Sequence, residues 1–233
     1  MMSLFEPHSS DDDEYIGSDA ATRALSVTAV ENDFVARVYE NLAFVYDWTF
    51  GPTLHPGRMH ALKRMGIKSN DRVLEVGIGT GINAALYPRD ATITGIDLSG
   101  PMLEKARERI ARKRLTNVQL FEMDAADMRF PDNSFDVVYA PYLISVVPDP
   151  VAVVREMRRV CRPGGRLVIL NHFRSRNRVG AFMERLISPL TVHIGFTADL
   201  DLPAFLAQAE LKPISIAKVN FPPIWSLVTC AKD

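Results

Sequence analysis

The chain is poor in cysteine and tryptophan, with two of each among its 233 residues, and it carries almost no net charge. Two cysteines, Cys161 and Cys230, are too few for a disulfide framework, and neither stands in a metal-ligand spacing. No metal site is expected, and free thiols fit a reducing cytoplasm. No apolar run is long enough to cross a bilayer, because the longest, around Val137 to Val147, is broken by Pro141 and Ser145. The N-terminus lacks the basic segment, apolar stretch and small-residue cleavage site of a signal peptide, so secretion is not expected. With 27 Lys and Arg against 28 Asp and Glu, the balance does not call for a nucleic-acid partner. The net charge of -1 hides an asymmetry, however. Residues 1 to 20 hold six acids and no Lys or Arg, which leaves the rest of the chain at +5, a sign compatible with an anionic membrane surface.

What is present is an ordinary core-forming composition, 47% hydrophobic, at a length within single-domain range. Residues 1–17, with the acidic run Asp11 to Glu14, have the polarity of a disordered tail. From Ala20 onward Val27, Val30, Phe34, Val38 and Leu42 recur at spacings of three and four, with charged residues elsewhere around the wheel. This predicts amphipathic helix over much of 18–65, a segment read as a lid, a membrane contact or both. Residues 66–233 then alternate as an α/β doubly wound sheet. Strands are expected near 72–77, 92–96, 118–121, 135–140 and 166–171, with helices near 81–87, 100–114, 150–161, 177–187 and 201–209. Two final runs complete seven strands as an antiparallel pair, and Pro163-Gly-Gly165 is expected to end the helix before it.

The most informative stretch is Val73-Leu-Glu-Val-Gly-Ile-Gly-Thr-Gly81, followed by a second apolar run closing on Asp97. A strand, a glycine-rich turn, a helix and a strand ending in an acid form a cradle for an adenosine-containing ligand. The glycines let backbone approach the ligand, and Asp97 stands where a carboxylate accepts from two ribose hydroxyls. Glu75, two positions before Gly77, would oppose a bound pyrophosphate, which favours a cationic, phosphate-free cofactor over a dinucleotide.

These residues, together with Asp97 to Ala106, Met123 to Met128, Phe130 to Tyr139 and Val160 to Leu167, resemble the class I S-adenosylmethionine (SAM) dependent methyltransferases in order and spacing. The resemblance implies a Rossmann-like fold with SAM as methyl donor and S-adenosylhomocysteine as product. It gives Gly77, Gly79 and Gly81 a backbone role beside the cofactor, Asp97 the ribose, Leu98 and Met102 the adenine walls, and Asp124 and the Ala125 amide the adenine edge. Glu75 would orient the loop or meet the cofactor ammonium through water; the alternative is a buried structural carboxylate bonded to loop amides. For Asp124 the alternative is a turn-forming residue.

The substrate is read from the surroundings. Tyr39, Tyr46, Trp48, Tyr139 and Tyr142 offer aromatic walls for an amine that becomes a quaternary ammonium. Tyr139-Ala-Pro-Tyr142 occupies the position that amine methyltransferases fill with an Asn/Asp-Pro-Pro-aromatic sequence, with Ala140 replacing the polar first residue. His172 could take a proton or bind a phosphate; the alternative is a structural histidine. Arg58, Arg174 and Arg176 suit a phosphate, or else form a solvated basic face. The segment Tyr46 to Arg58, the Gly loop to Asn83 and Val146 to Pro150 resemble the soluble bacterial phosphatidylethanolamine N-methyltransferases of the Rhodobacter type. That likeness implies a phospholipid acceptor, Tyr46, Tyr142 and His172 at the acceptor pocket, and a monomer peripheral to the inner face of the cytoplasmic membrane. Ubiquinone/menaquinone C-methyltransferases and a noncatalytic SAM- or lipid-binding module are the rival readings.

Overall fold

The computed structural model describes residues 54–173, 200–220 and 223–233. Seven strands form one sheet in the order β3-β2-β1-β4-β5-β7-β6. They are β1 (Arg72–Val76), β2 (Thr92–Asp97), β3 (Val118–Glu122), β4 (Phe135–Pro141), β5 (Cys161–His172), β6 (Pro213–Val219) and β7 (Trp225–Ala231). β1 to β5 pair in parallel, and β7 runs antiparallel to both β5 and β6. The order reverses between β1 and β4, and the crevice beyond the carboxyl ends of these two strands is where ligands bind in such sheets.

Helices cover both faces because the central strands are apolar on both. In β5, Leu167 and Ile169 face one core, shared with Val153 and Met157 of α3 (Pro150–Val160) and Phe205 of α4 (Leu202–Gln208). Val168 and Leu170, one residue out of step, face the other, shared with Ala61 and Met65 of the helix α1 at 54–65. The alternation is the pleat of a strand buried on both sides. α2 (Gly100–Lys113) lies against the turn of 3-10 helix at Ile82–Leu86 and against β2 and β3.

The helix starts are written locally. Ser99, Asp149 and Asp201 cap α2, α3 and α4 with side-chain oxygens that accept backbone N–H groups, each with proline in the first turn. The end of α1 is tied to the sheet by Arg166, whose guanidinium donates to the carbonyls of Met65 and Gly66 and reaches Asp71 at 3.2 Å. It thereby satisfies carbonyls that a helix end leaves open.

Two local expectations need correction. The segment after Gly81 is a short 3-10 turn, Ile82–Leu86. Pro163-Gly-Gly165 does not end α3, which stops at Val160; it lies within β5, where Gly164 has φ +71° and Gly165 has no room for a Cβ, which would lie 2.7 Å from Arg162 O and Cys161 Sγ. The expected helix at 177–187, the acidic tail and the stripe from Val27 to Leu42 lie outside the described residues. No described helix is long and apolar enough to cross a membrane.

Candidate active site

A cavity of about 370 Å³ opens at the carboxyl ends of β1, β2 and β4. Its floor is the glycine turn. Gly79 has φ +57°, and a Cβ there would meet nothing within 4 Å. Its backbone thus borders the open crevice, in the left-handed region that glycine tolerates best. Gly81, at φ +71°, lies against α2, where a Cβ would stand 3.1 Å from Ala106 Cβ. Gly81→Val combines a β-branched residue at positive φ with overpacking, and is expected to destabilise the fold by about 2–4 kcal/mol in a urea titration. An unchanged midpoint and slope would contradict this placement of the turn.

Asp97 closes β2 at the crevice wall. Its carboxylate accepts the Gly79 N–H at 2.8 Å and the Ser99 N–H at 2.9 Å, joining the glycine turn to the start of α2. Burial raises its proton affinity above the usual carboxylate range, while the backbone donors at Ser99, Gly79 and Leu98 pull the other way. Leu98, half exposed, and Met102, buried, line the same wall. Asp124 and Ala125 line the crevice just after β3, the strand beside β2. The Asp124 carboxylate accepts the Ala126 N–H at 2.8 Å, so the turn-forming role is present alongside its place in the crevice.

Glu75 is a buried structural carboxylate, as one of the readings expects, but with other partners than expected. It does not line the crevice, and its oxygens meet side chains rather than loop amides: Asn83 Nδ2 and the Tyr87 hydroxyl each donate at 2.6 Å. Asn83 is in turn the acceptor of Arg58 Nη1 at 3.2 Å. Burial pushes the Glu75 carboxyl up to about 7, against the opposing pull of Tyr87, Arg58 and Asn83. Glu75 therefore braces the underside of the glycine turn.

Among the residues read as acceptor ligands, Arg58 and Tyr142 are brought together in the crevice lining, the guanidinium carbon 4.9 Å from the centre of the Tyr142 ring. Tyr139 is not a wall. It is fully buried behind the crevice, beside Glu75 across the β1–β4 pairing, and its raised pKa follows from burial. His172 ends β5 outside the lining, buried and edge-on to Trp225 at 6.3 Å. Tyr39, Tyr46, Trp48, Arg174 and Arg176 lie outside the described residues. No cluster that could hold a metal occurs among the described residues.

The sequence assigns no site role to several lining residues. Leu143, Val146, Val147 and Val153 make an apolar wall after β4, and Thr80 and Ser99 add polar edges. For the apolar wall the signal is position, since the segment after the fourth strand of such a sheet borders the crevice. Asn83 had a signal, an amide in an otherwise apolar turn.

The crevice suits SAM in its own terms: bare glycine backbone, a carboxylate on the second strand, an apolar adenine wall and, among the described lining residues, no cluster of basic side chains awaiting a pyrophosphate. A methyltransferase domain model matches residues 74–169. This fold and site define a class I SAM-dependent methyltransferase, and the chain belongs to that family, with SAM as its cofactor. It is 39% identical over 186 residues, 79% of the chain and 91% of the relative, to a phosphatidylethanolamine N-methyltransferase of Cereibacter sphaeroides. A demethylmenaquinone methyltransferase of Listeria monocytogenes is 33% identical over 62% of this chain and 65% of its own. Among solved structures, the phosphoethanolamine N-methyltransferase 2 of Haemonchus contortus in complex with SAM superposes with a TM-score of 0.71 at 20% identity, over 87% of this chain and 60% of that one, and so attests the fold.

Proposed function

We propose that the enzyme transfers methyl groups from SAM to the amine of phosphatidylethanolamine and its methylated derivatives, giving phosphatidylcholine. The observation that carries this reading is the 39% identity to a protein of that name over 91% of its length, which reaches well beyond the cofactor core. The quinone relative shares less of the chain, and its likeness is weaker.

Bound SAM supplies an electrophilic methyl on its sulfonium. The protein's part is to hold the partners in line and keep water out. Asp97 and the Gly79 backbone fix the ribose end, and Leu98 and Met102 the adenine. The acceptor amine must arrive neutral. At a lysine-like pKa of about 10.4, roughly one amine in a thousand is neutral near pH 7.4. The apolar wall of Leu143, Val146 and Val147 favours the uncharged form by withholding solvation. A substrate with two acyl chains must be met at a bilayer surface. The amphipathic stripe from Val27 to Leu42 and the +5 charge beyond residue 20 support an anionic, cytoplasmic membrane face as the place of encounter.

Incubation of the full chain with labelled SAM and phosphatidylethanolamine vesicles is expected to put label into lipid. Phosphatidylcholine vesicles, whose nitrogen is already quaternary, should take none. Equal incorporation into both, or none into either, would overturn the assignment.

A further inference from the structure

Toward the crevice end of the sheet, two apolar rows give way to polar residues. On the α3 side of β5, the row Leu167 and Ile169 continues as Asn171 before Phe173 restores it. On β7, the row Cys230 and Val228 ends at Ser226, which stands directly opposite Asn171. Both polar residues are fully buried, and Ser226 Oγ has no hydrogen-bond partner among the described residues. A third, Ser145, is buried as well and interrupts the apolar run that begins in β4. Burying such groups costs desolvation that an apolar residue would avoid, so a polar role is expected of them.

The Asn171 amide has such a role at each end. Its Oδ1 accepts the Ser145 hydroxyl at 3.3 Å, and its Nδ2 donates to the His172 carbonyl at 2.7 Å. Ser145 belongs to the segment that walls the crevice: Leu143, Val146 and Val147 line it, while Ile144 is buried in the core behind them. That segment is a turn between β4 and α3, with little backbone bonding of its own. The Tyr142 N–H donates to Leu170 O at 2.6 Å where the segment begins, and the Val146 N–H donates to Leu143 O at 2.9 Å within it. Among the described residues, Ser145 to Asn171 is the side-chain bond that joins this wall to β5.

We infer that Asn171 is a positioning residue for methyl transfer, its one amide fixing the apolar wall of the crevice, through Ser145, to the end of β5. It lies outside the lining and acts through Leu143, Val146 and Val147. The inference rests on the amine acceptor proposed above, because it is from that amine that the wall withholds water. A wall free to move admits water, which favours the charged amine and loosens the in-line alignment. The serine that breaks the apolar run from Val137 to Val147 thereby gains a function.

Three variants of the full chain test this. Asn171→Leu roughly keeps the volume and removes both hydrogen bonds, Ser145→Ala removes the one to the wall, and the double variant leaves neither partner of that bond stranded, so it recovers stability. Hydrogen exchange, urea midpoints, SAM calorimetry and turnover on phosphatidylethanolamine vesicles are measured for each. In all three the Val146 amide is expected to exchange faster while the amides of β1 and β2 keep their protection. Turnover falls roughly ten- to a hundredfold, with SAM affinity close to wild type. The half-point of the kcat profile moves to higher pH, because the bound amine is better solvated. The double variant regains stability without regaining turnover. Wild-type exchange at Val146, or turnover that returns together with stability, overturns the inference; Ser145→Ala decides alone should Asn171→Leu not fold. If the wild type puts no methyl on phosphatidylethanolamine, the acceptor reading fails, and the exchange pattern still decides whether Asn171 holds the wall.

Discussion

Asp97→Ala is expected to weaken SAM binding roughly ten- to a hundredfold, the worth of a charge-assisted hydrogen bond of about 1.5 to 3 kcal/mol in a partly desolvated site. The carboxylate does two things at once. It presents an acceptor at the crevice wall and, through Gly79 and Ser99, fixes the glycine turn against the start of α2. The alanine variant loses both, whereas Asp97→Asn keeps the volume and one acceptor and should fall between. Because burial raises the Asp97 pKa, SAM affinity should also begin to fall at a higher pH than an ordinary aspartate would give as solutions are acidified. Calorimetry on folded variants checks this, and unchanged affinity in Asp97→Ala would remove Asp97 from the site.

Glu75 carries the largest expected effect on stability. Glu75→Ala strands Asn83, Tyr87 and the charge of Arg58 in the interior, and breaking such a buried network costs about 3–5 kcal/mol. Glu75→Gln behaves differently, since the amide mimics the protonated acid. In the folded protein the carboxyl titrates at about 7, above its ordinary value of 4.5. The native state therefore binds the proton more tightly than the unfolded chain. The stabilisation from Glu75 is full below pH 4.5 and is lost as pH rises toward 7, by on the order of 3 kcal/mol. Denaturant midpoints across this range should show Glu75→Gln gaining on the wild type as pH rises. Asp136 and Glu156, whose pKa values are lowered, slope the other way in both proteins and cancel in the comparison. Parallel pH profiles would show that Glu75 does not titrate as its burial implies.

The sheet was legible because its strands are marked by their own apolar runs, and the cofactor residues because each sits at a fixed offset from a strand end. Gly77, Gly79, Asp97, Met102 and Asp124 line the crevice, whereas Gly81, expected there too, packs against Ala106 of α2. Sequence is less informative where a residue's role depends on a partner far along the chain. Even over 8 and 12 positions, the contacts of Glu75 with Asn83 and Tyr87 depend on how the glycine turn folds back. Asn220 reaches Gly57 across 163 positions, and nothing local marks it as different from any loop asparagine. Tyr139 and Tyr142 look equivalent in sequence, yet strand pleat sends Tyr139 into the core, while Tyr142, just past the strand end at positive φ, turns to the crevice. Pro163-Gly-Gly165 looked like a helix stop because glycine commonly follows helices; here the tight packing of Gly165 against Cys161 and Asp136 explains the composition equally well.

The acceptor is tested most directly in one vessel. Vesicles containing both phosphatidylethanolamine and a demethylated quinone precursor are incubated with the full chain and SAM carrying a heavy methyl group, and the extracted lipids are read by mass spectrometry. Heavy methyl is expected on the headgroup nitrogen of phosphatidylethanolamine, with the quinone ring unlabelled. Heavy methyl on the quinone ring, with the phospholipid unlabelled, would contradict the phospholipid assignment.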